Sequence, residues 1–418
     1  MSARKQQPEG SRQAKLWTPA FILIVGLALC CFVVGQGLNA GTSVYIDLLG
    51  GTATYAGLLA ATFSIAAAIA RVACGPIIDR QGRAIVLIVG AVLLSAGTMV
   101  PLFANDTVPF VICRILQGVG FSAVTTAAAT AAADVLPFSR LGEGIGYYGL
   151  GQALAMSVGP ALALFLVSTE PPENLYLGLS AMSLAVLALA IMCRYERKPE
   201  RLPETSVYRM RYEAERKGED TDPTNEPRGF RRVFEPRALP GSLPMVVLSP
   251  AFGFGIFFIG LYGTTLGIGN AGLFFTVSAA SMIAVRLKSN AFMDSVAPIK
   301  AYGAAVICGI IAYVMLLTAE ANHALFYVAG IFYGICIGVS IPVCQSVAVK
   351  NTPSERWGAA NALYLLATDI GVGIATVIWG ALNDAYGFTT TIWCVIACIA
   401  LSFLVAWVVY PAEAKRSR

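Results

Sequence analysis

Apolar residues run along this chain in blocks of about twenty, long enough to cross the roughly 30 Å hydrocarbon core of a bilayer as helices rising 1.5 Å per residue. Twelve blocks meet this requirement: 17–38, 53–73, 84–104, 107–133, 144–168, 174–194, 242–268, 271–287, 300–319, 323–349, 357–382 and 389–410. Polar residues collect between them. The pair 242–268 and 271–287 is punctuated only by Gly269 and Asn270. The first block follows Arg4, Lys5, Arg12 and Lys15 and so resembles a secretion signal, but it exceeds the about 7–15 apolar residues of a signal core and reads as a retained anchor.

Composition agrees with the pattern. The 418 residues are 57% hydrophobic and 13% charged, with a mean hydropathy of +0.70, more apolar than a water-soluble core of this size requires.

The distribution of charge sets an orientation. Of 29 Lys and Arg, 28 fall in the N-terminal tail, at 71–83, at Arg140, within 194–237, within 286–300, at Lys350 and Arg356, and at 415–418. These are the two tails and the even-numbered connections; the odd-numbered ones hold Asp47, Asp106, Glu170, Glu173, Glu320, His323 and Asp384, without Lys or Arg. By the positive-inside rule both termini are expected in the cytoplasm of a cell-membrane protein. The net charge of +5 then reflects orientation, and no nucleic-acid partner is expected. Ten cysteines without a C-x-x-C pair, and a single His, read as small packing residues; no metal and no cofactor are expected.

Residues 194–237 carry 12 cations, 10 acids and five prolines, a solvated connector dividing the chain six spans to six. The halves resemble each other. "RVACGPIID" (71–79) aligns with "RLKSNAFMD" (286–294), "LPFSRLG" (136–142) with "TPSERWG" (352–358), and Tyr148 with Tyr364, at offsets of 215–216. The expected fold is therefore an all-α membrane protein: twelve transmembrane helices in two six-helix bundles related by a parallel pseudo-twofold repeat. Its expected divisions are 1–195, a charged linker 196–241, 242–410 and a tail 411–418.

Between the second and third spans, "GPIIDRQGRA" (75–84) concentrates Asp79, Arg80 and Arg83 in a tight turn expected to need Gly75 and Gly82. A membrane anchor explains the arginines but not Asp79. The pattern G-x-x-x-D-R-x-G-R resembles the signature loop of the major facilitator superfamily, and the likeness extends over twelve spans, a central charged loop and a degraded second copy containing Asn290, Asp294 and Ser295. This resemblance implies a conformational latch: Asp79 capping the start of helix 11 in the opposite half, and Arg83 pairing with Asp134 at the end of helix 4. "GEGIGYYGL" (142–150) and the stretch from helix 10 to helix 11 are similar to bacterial drug or metabolite:proton antiporters, including arabinose-efflux-like and metallophore-exporter-like members.

Two charges lie deep in spans. Arg114 opens "RILQGVG", which resembles the helix-4 motif of proton-coupled members, and Gln117, Gly118, Phe121 and Thr125 share its helical face. A guanidinium does not carry the proton itself. It can tune a neighbouring acid, hold an anion, or serve structurally by binding backbone carbonyls. Asp369 lies twelve residues past Trp357, about 18 Å into its helix. Burial disfavours a charged carboxylate, which makes Asp369 a candidate proton carrier; the alternative is a neutral or paired Asp tying two helices together. Glu143 is a further acid at the cytoplasmic mouth. Gly146, Gly159 and Pro160 match part of the family's antiporter helix-5 motif, with Ala155 in place of its middle glycine.

The resemblance also implies a substrate cavity lined by Gln36, Gln117, Tyr147, Phe254, Phe258, Tyr262, Tyr333, Gln345, Asn361 and Tyr364, an aromatic wall with a few amides suited to a small amphipathic organic solute. The expected function is proton-coupled efflux by alternating access in a monomeric chain whose partners are solute, protons and the lipid bilayer. Uptake by symport and a transporter-like sensor are the alternatives. No Walker-type phosphate loop occurs, and the scattered acids and single His assemble no catalytic centre, so neither an ATP-driven pump nor an enzyme is expected.

Overall fold

A computed structural model describes residues 15–103, 107–137, 140–216, 235–293, 296–350, 352 and 357–416. Among these the regular elements are helical: α1 Pro19–Leu48, α2 Ala53–Gln81, α3 Arg83–Met99, α4 Thr107–Val135, α5 Leu141–Val167, α6 Asn174–Met192, a short linker helix α7 Val207–Arg216, α8 Leu239–Thr265, α9 Gly272–Met293, α10 Pro298–Leu317 and α11 Ala324–Lys350. The last stretch, Trp357–Arg416, is broken at Gly387, whose φ of 79° and ψ of 171° lie outside the helical region. Glycine adopts a positive φ without a Cβ penalty, so one continuous-looking segment is two crossing helices, α12 (357–386) and α13 (388–416).

Among the described residues twelve membrane-crossing helices result, α7 lying apart in the linker. Their outer faces are apolar: Ile69, Phe103, Leu177, Trp407 and Val408 are exposed, as expected of side chains meeting lipid. Pairing within the first bundle is α1 with α5, α2 with α4, α3 with α4 and α3 with α6; the second bundle repeats it with every label advanced by seven. The bundles meet along α2 with α12 and, at the copied position, α5 with α9, while α1 packs on α8 between these two seams.

Local chemistry places the helix ends. Thr18 and Thr52 accept the Phe21 and Tyr55 amides, at 3.2 and 3.1 Å, starting α1 and α2. The structure departs from the hydropathy pattern at three places. α1 runs ten residues beyond the expected end at 38, because its polar residues find partners inside the bundle: Thr42 meets the Tyr176 hydroxyl at 3.1 Å, and Asn39 binds Arg114. Asp47, expected in a connection, therefore sits in the last turn of α1. The stretch 75–81 is helix, not loop; Gly75 lies within α2, and the turn is made by Gly82 alone at φ 88°. Between α8 and α9 the left-handed residue is Gly267, at φ 69°, ahead of the expected Gly269 and Asn270.

The rim bearing the connector between the halves is called the linker rim below, and the other the opposite rim.

Candidate functional site

Arg71 and Asp369 meet across the seam between the bundles. Arg71 lies ten residues before the end of α2, about 15 Å from the linker rim, and Asp369 lies about 18 Å up α12 from the same side. Arg71 Nε donates to Asp369 Oδ2 at 3.0 Å, and Nη1 donates to Thr126 Oγ1 of α4 at 3.4 Å. The two side chains are 12% and 25% exposed, so the pair is neither sealed in the core nor bathed in water. Each charge offsets the other's desolvation at a depth where either alone is expensive. Because the partners belong to different bundles, any hinge that opens this seam must separate them.

The pair was only half legible. Asp369 stands out by depth, whereas Arg71 falls among the cations assigned to the rim at 71–83. Its signal was its place inside the apolar block 53–73. The repeat-related Arg286 likewise enters its bundle boundary, with Nη1 3.4 Å from the Gly149 carbonyl oxygen of α5, but the position corresponding to Asp369 is Ala153. One seam thus carries a charged rung, and its copy an arginine on a backbone carbonyl.

Arg114 has a different setting. It is 1% exposed inside the first bundle, with Nε on the Leu59 carbonyl oxygen at 3.1 Å, Nη1 on Gln117 Oε1 at 3.0 Å and Nη2 on Asn39 Oδ1 at 2.8 Å. Its guanidinium carbon lies 4.6 Å from the centre of the Phe63 ring, a cation–π contact. Gln117 Nε2 in turn donates to the Gly97 carbonyl oxygen at 3.0 Å. Among the described residues no ion pair includes Arg114. This knot ties α1, α2, α3 and α4 together, and its geometry matches the structural alternative for Arg114 rather than a partnership with an acid. Phe121, on the same face, packs against Phe32 and Phe63.

At the linker rim Arg83 Nε lies 2.7 Å from Asp134 Oδ2, so two of the expected latch residues come together. Tyr195 donates to the same oxygen at 3.0 Å, and Glu196 accepts the Arg83 and Ala84 backbone amides at 2.8 and 2.9 Å. The start of the linker therefore caps α3, a contact that sequence reading did not anticipate. The side chains of Asp79, Arg80, Glu143 and Asn361 lie outside the described residues.

The ten expected cavity residues do not form one wall. Phe254 and Phe258 are fully buried and stack on each other, with Phe254 also against Tyr313 and Phe388; Tyr262 packs on Phe388 and donates to the Leu316 carbonyl oxygen at 2.9 Å. These three recur every fourth residue and so share the stripe of α8 that faces α10 and α13, the interior of their own bundle. Tyr147 is 41% exposed near the linker rim with its ring on Trp17, and Gln117 belongs to the Arg114 knot. Tyr364 donates to the Ile341 carbonyl oxygen at 3.2 Å, while Gln345 is half-buried on α11. Gln36 and Tyr333, one from each bundle, differ from the rest: Gln36 Oε1 and the Tyr333 hydroxyl are buried without a hydrogen-bond partner among the described residues.

In helix α5, a Cβ on Gly159 would stand 2.6 Å from the Val33 carbonyl oxygen and 3.0 Å from Gln36 Cβ, so this glycine allows α1 and α5 to touch. Gly146 has open space beside it, and Pro160 lies inside the helix. Among the described residues no cluster of His, Cys, Asp and Glu could hold a metal ion.

Comparison with known proteins places this geometry. The family model described as Major Facilitator Superfamily matches residues 24–322 and 271–418. The Staphylopine export protein of Staphylococcus aureus (strain Mu50 / ATCC 700699) is 23% identical over 363 residues, covering 84% of this chain and 87% of that protein. Multidrug resistance protein MdtL of Citrobacter koseri is 24% identical over 352 residues, covering 80% and 82%. Among solved structures, a D-xylose-proton symporter superposes with a TM-score of 0.73 at 16% identity, covering 94% of this chain and 98% of that one.

Proposed function

The chain belongs to the Major Facilitator Superfamily of transporters, and from that premise we propose that it exports a small amphipathic organic solute in exchange for protons, by alternating access to a site between its two bundles. The observation that carries the proton-coupled part is the ion pair of Arg71 and Asp369 across the seam. While Asp369 is ionised, the pair holds α2 against α12. When Asp369 takes a proton, the attraction is lost and the seam is free to part toward the linker rim. Proton release restores the charge and recloses it. A carboxylate whose protonation state is tied to a contact between moving bodies is a coupling element in the energetic sense: the proton binds one arrangement better than the other.

Export, rather than uptake, is supported by the names of the two relatives, an export protein and a multidrug resistance protein. Solute contacts are assigned to Gln36 and Tyr333, whose unpartnered polar atoms a bound solute can satisfy. The two bundles are the rocking units within a single working chain, linker 196–241 joins them, and the cation distribution supports a cell-membrane location with cytoplasmic termini.

The test is a solute screen in overexpressing cells with and without an uncoupler. Lower intracellular accumulation of a solute, abolished by the uncoupler and by Asp369→Asn, supports proton-driven export. Higher accumulation under the same control supports symport, and an uncoupler-insensitive effect removes the proton from the account.

A further inference from the structure

A second polar contact crosses the α2–α12 seam, at its opposite end. Asp384 lies near the end of α12, fifteen residues or about 22 Å beyond Asp369. Its carboxylate reaches the start of α2: Oδ1 accepts the Ala53 amide at 3.1 Å and Oδ2 the Thr54 amide at 2.6 Å. The first four amides of a helix have no acceptor within it, and the positive end of the helix dipole favours a carboxylate there. Thr52 of the same bundle takes the Tyr55 amide. The first turn of α2 is therefore capped jointly by its own bundle and by the other one.

Behind the cap the two backbones touch. A Cβ on Gly380 would stand 2.6 Å from the Ala53 carbonyl oxygen, and one on Gly57 would overlap the Thr376 carbonyl oxygen. The repeat does not reproduce the carboxylate. At an offset of 216, Asp384 corresponds to Ser168, whose hydroxyl donates to Phe165 of its own helix at 2.8 Å. On that seam α9 starts at Gly272, where an added Cβ would meet the Ala161 carbonyl oxygen at 3.0 Å. Asp384 is thus a feature of one seam, the one that also bears Arg71 and Asp369.

We propose that Asp384 is the latch of the opposite face: its cap on α2 holds the bundles together at the rim away from the linker and is released each time the transporter opens there. The inference rests on the alternating-access reading above. The two rungs then oppose each other. Parting the seam at the linker rim breaks Arg71–Asp369 and leaves the Asp384 cap in place; parting it at the opposite rim does the reverse.

The test is hydrogen–deuterium exchange of the full chain in lipid nanodiscs, comparing wild type, Asp384→Ala and Asp369→Asn. The decisive segment is 260–266 of α8. Gly260 there packs on Val44 and Leu164 of the first bundle, and Asp384 does not touch it. The latch predicts that Asp384→Ala raises exchange both at 53–60 and at 260–266, by about two- to fivefold, the worth of one carboxylate at a helix start. Faster exchange confined to 53–60 makes Asp384 a local cap and overturns the proposal, as does no change. Asp369→Asn separates the two readings: a protein that alternates shows reciprocal changes at 260–266 and at 145–151 of α5, where Gly149 meets Arg286 of the other bundle, in this variant even if the latch is wrong, whereas a protein that does not alternate shows them at neither. Should Asp384→Ala fail to fold, Asp384→Asn, which keeps an acceptor oxygen without the charge, replaces it with the same predicted direction.

Discussion

Arg71 of α2 and Asp369 of α12 are held 3.0 Å apart although 298 positions separate them in the chain, and they belong to different bundles. Neither charge has another ionic partner among the described residues. The pair is thus a mechanical link between the halves as well as a chemical one, and each member's cost in the bilayer is borne by the other.

Removing one member leaves an uncompensated group at that depth; removing both does not. Arg71→Gln and Asp369→Asn are each expected to destabilise the protein, while Arg71→Gln with Asp369→Asn loses less than the sum. The coupling energy expected for this partly exposed pair is about 1–3 kcal/mol, measured as a double-mutant cycle on thermal or denaturant unfolding in detergent. Additive losses would remove the link.

Arg114 is expected to behave as a structural residue. Three acceptors and an aromatic face surround it, and an ammonium on a Lys stem does not reproduce the planar fork that serves them. Arg114→Lys and Arg114→Ala are predicted to lower stability, the latter by about 3 kcal/mol or more through orphaned buried acceptors. Folded protein that survives keeps its response to the proton gradient. Normal melting with selective loss of coupling would return Arg114 to the coupling machinery.

Glu196 caps α3 through two backbone amides and sits beside the Arg83–Asp134 pair. Glu196→Ala is expected to cost about 0.5–2 kcal/mol and to speed amide exchange in the first turn of α3, with proteolysis of the adjoining linker as a second readout. Unchanged exchange at Arg83 and Ala84 would show the cap to be dispensable.

Tyr333→Phe removes an unpartnered hydroxyl, and Gln36→Leu removes an unpartnered amide oxygen together with the NH2 group beside it. Stability should hold or rise slightly, because a buried unsatisfied atom is lost. The apparent KM for the transported solute should rise about 5- to 30-fold, the worth of one to two kcal/mol, if the solute bonds there. Unchanged transport would move the solute site elsewhere.

Much of this architecture is legible in the sequence because bilayer thickness imposes it: apolar length and cation placement locate the crossings without knowledge of their neighbours. What escaped were residues whose meaning depends on a distant partner. Asn39, Thr42 and Ser43 look like the end of α1 until Arg114 and Tyr176 supply their bonds or their burial. Arg71 looks like a rim cation until Asp369 stands opposite it. Asp384 looks like a solvated loop acid, since its partners are backbone amides 330 positions away. The α8 aromatics show the converse limit. Their fourfold spacing identifies a common face, but which of two neighbours that face meets is decided by packing alone.

The central claim, that protonation of Asp369 parts the seam at the linker rim, is tested most directly by distance. Spin labels at the exposed positions Gln81 on α2 and Lys350 on α11 report the separation of the bundles on that side, in a chain whose partly buried Cys30, Cys308, Cys394 and Cys398 are replaced by alanine. Lowering the pH should lengthen the distance in the otherwise native protein, while Asp369→Asn should hold the long distance at every pH. A distance that ignores pH, or one that still follows it in Asp369→Asn, would contradict the account.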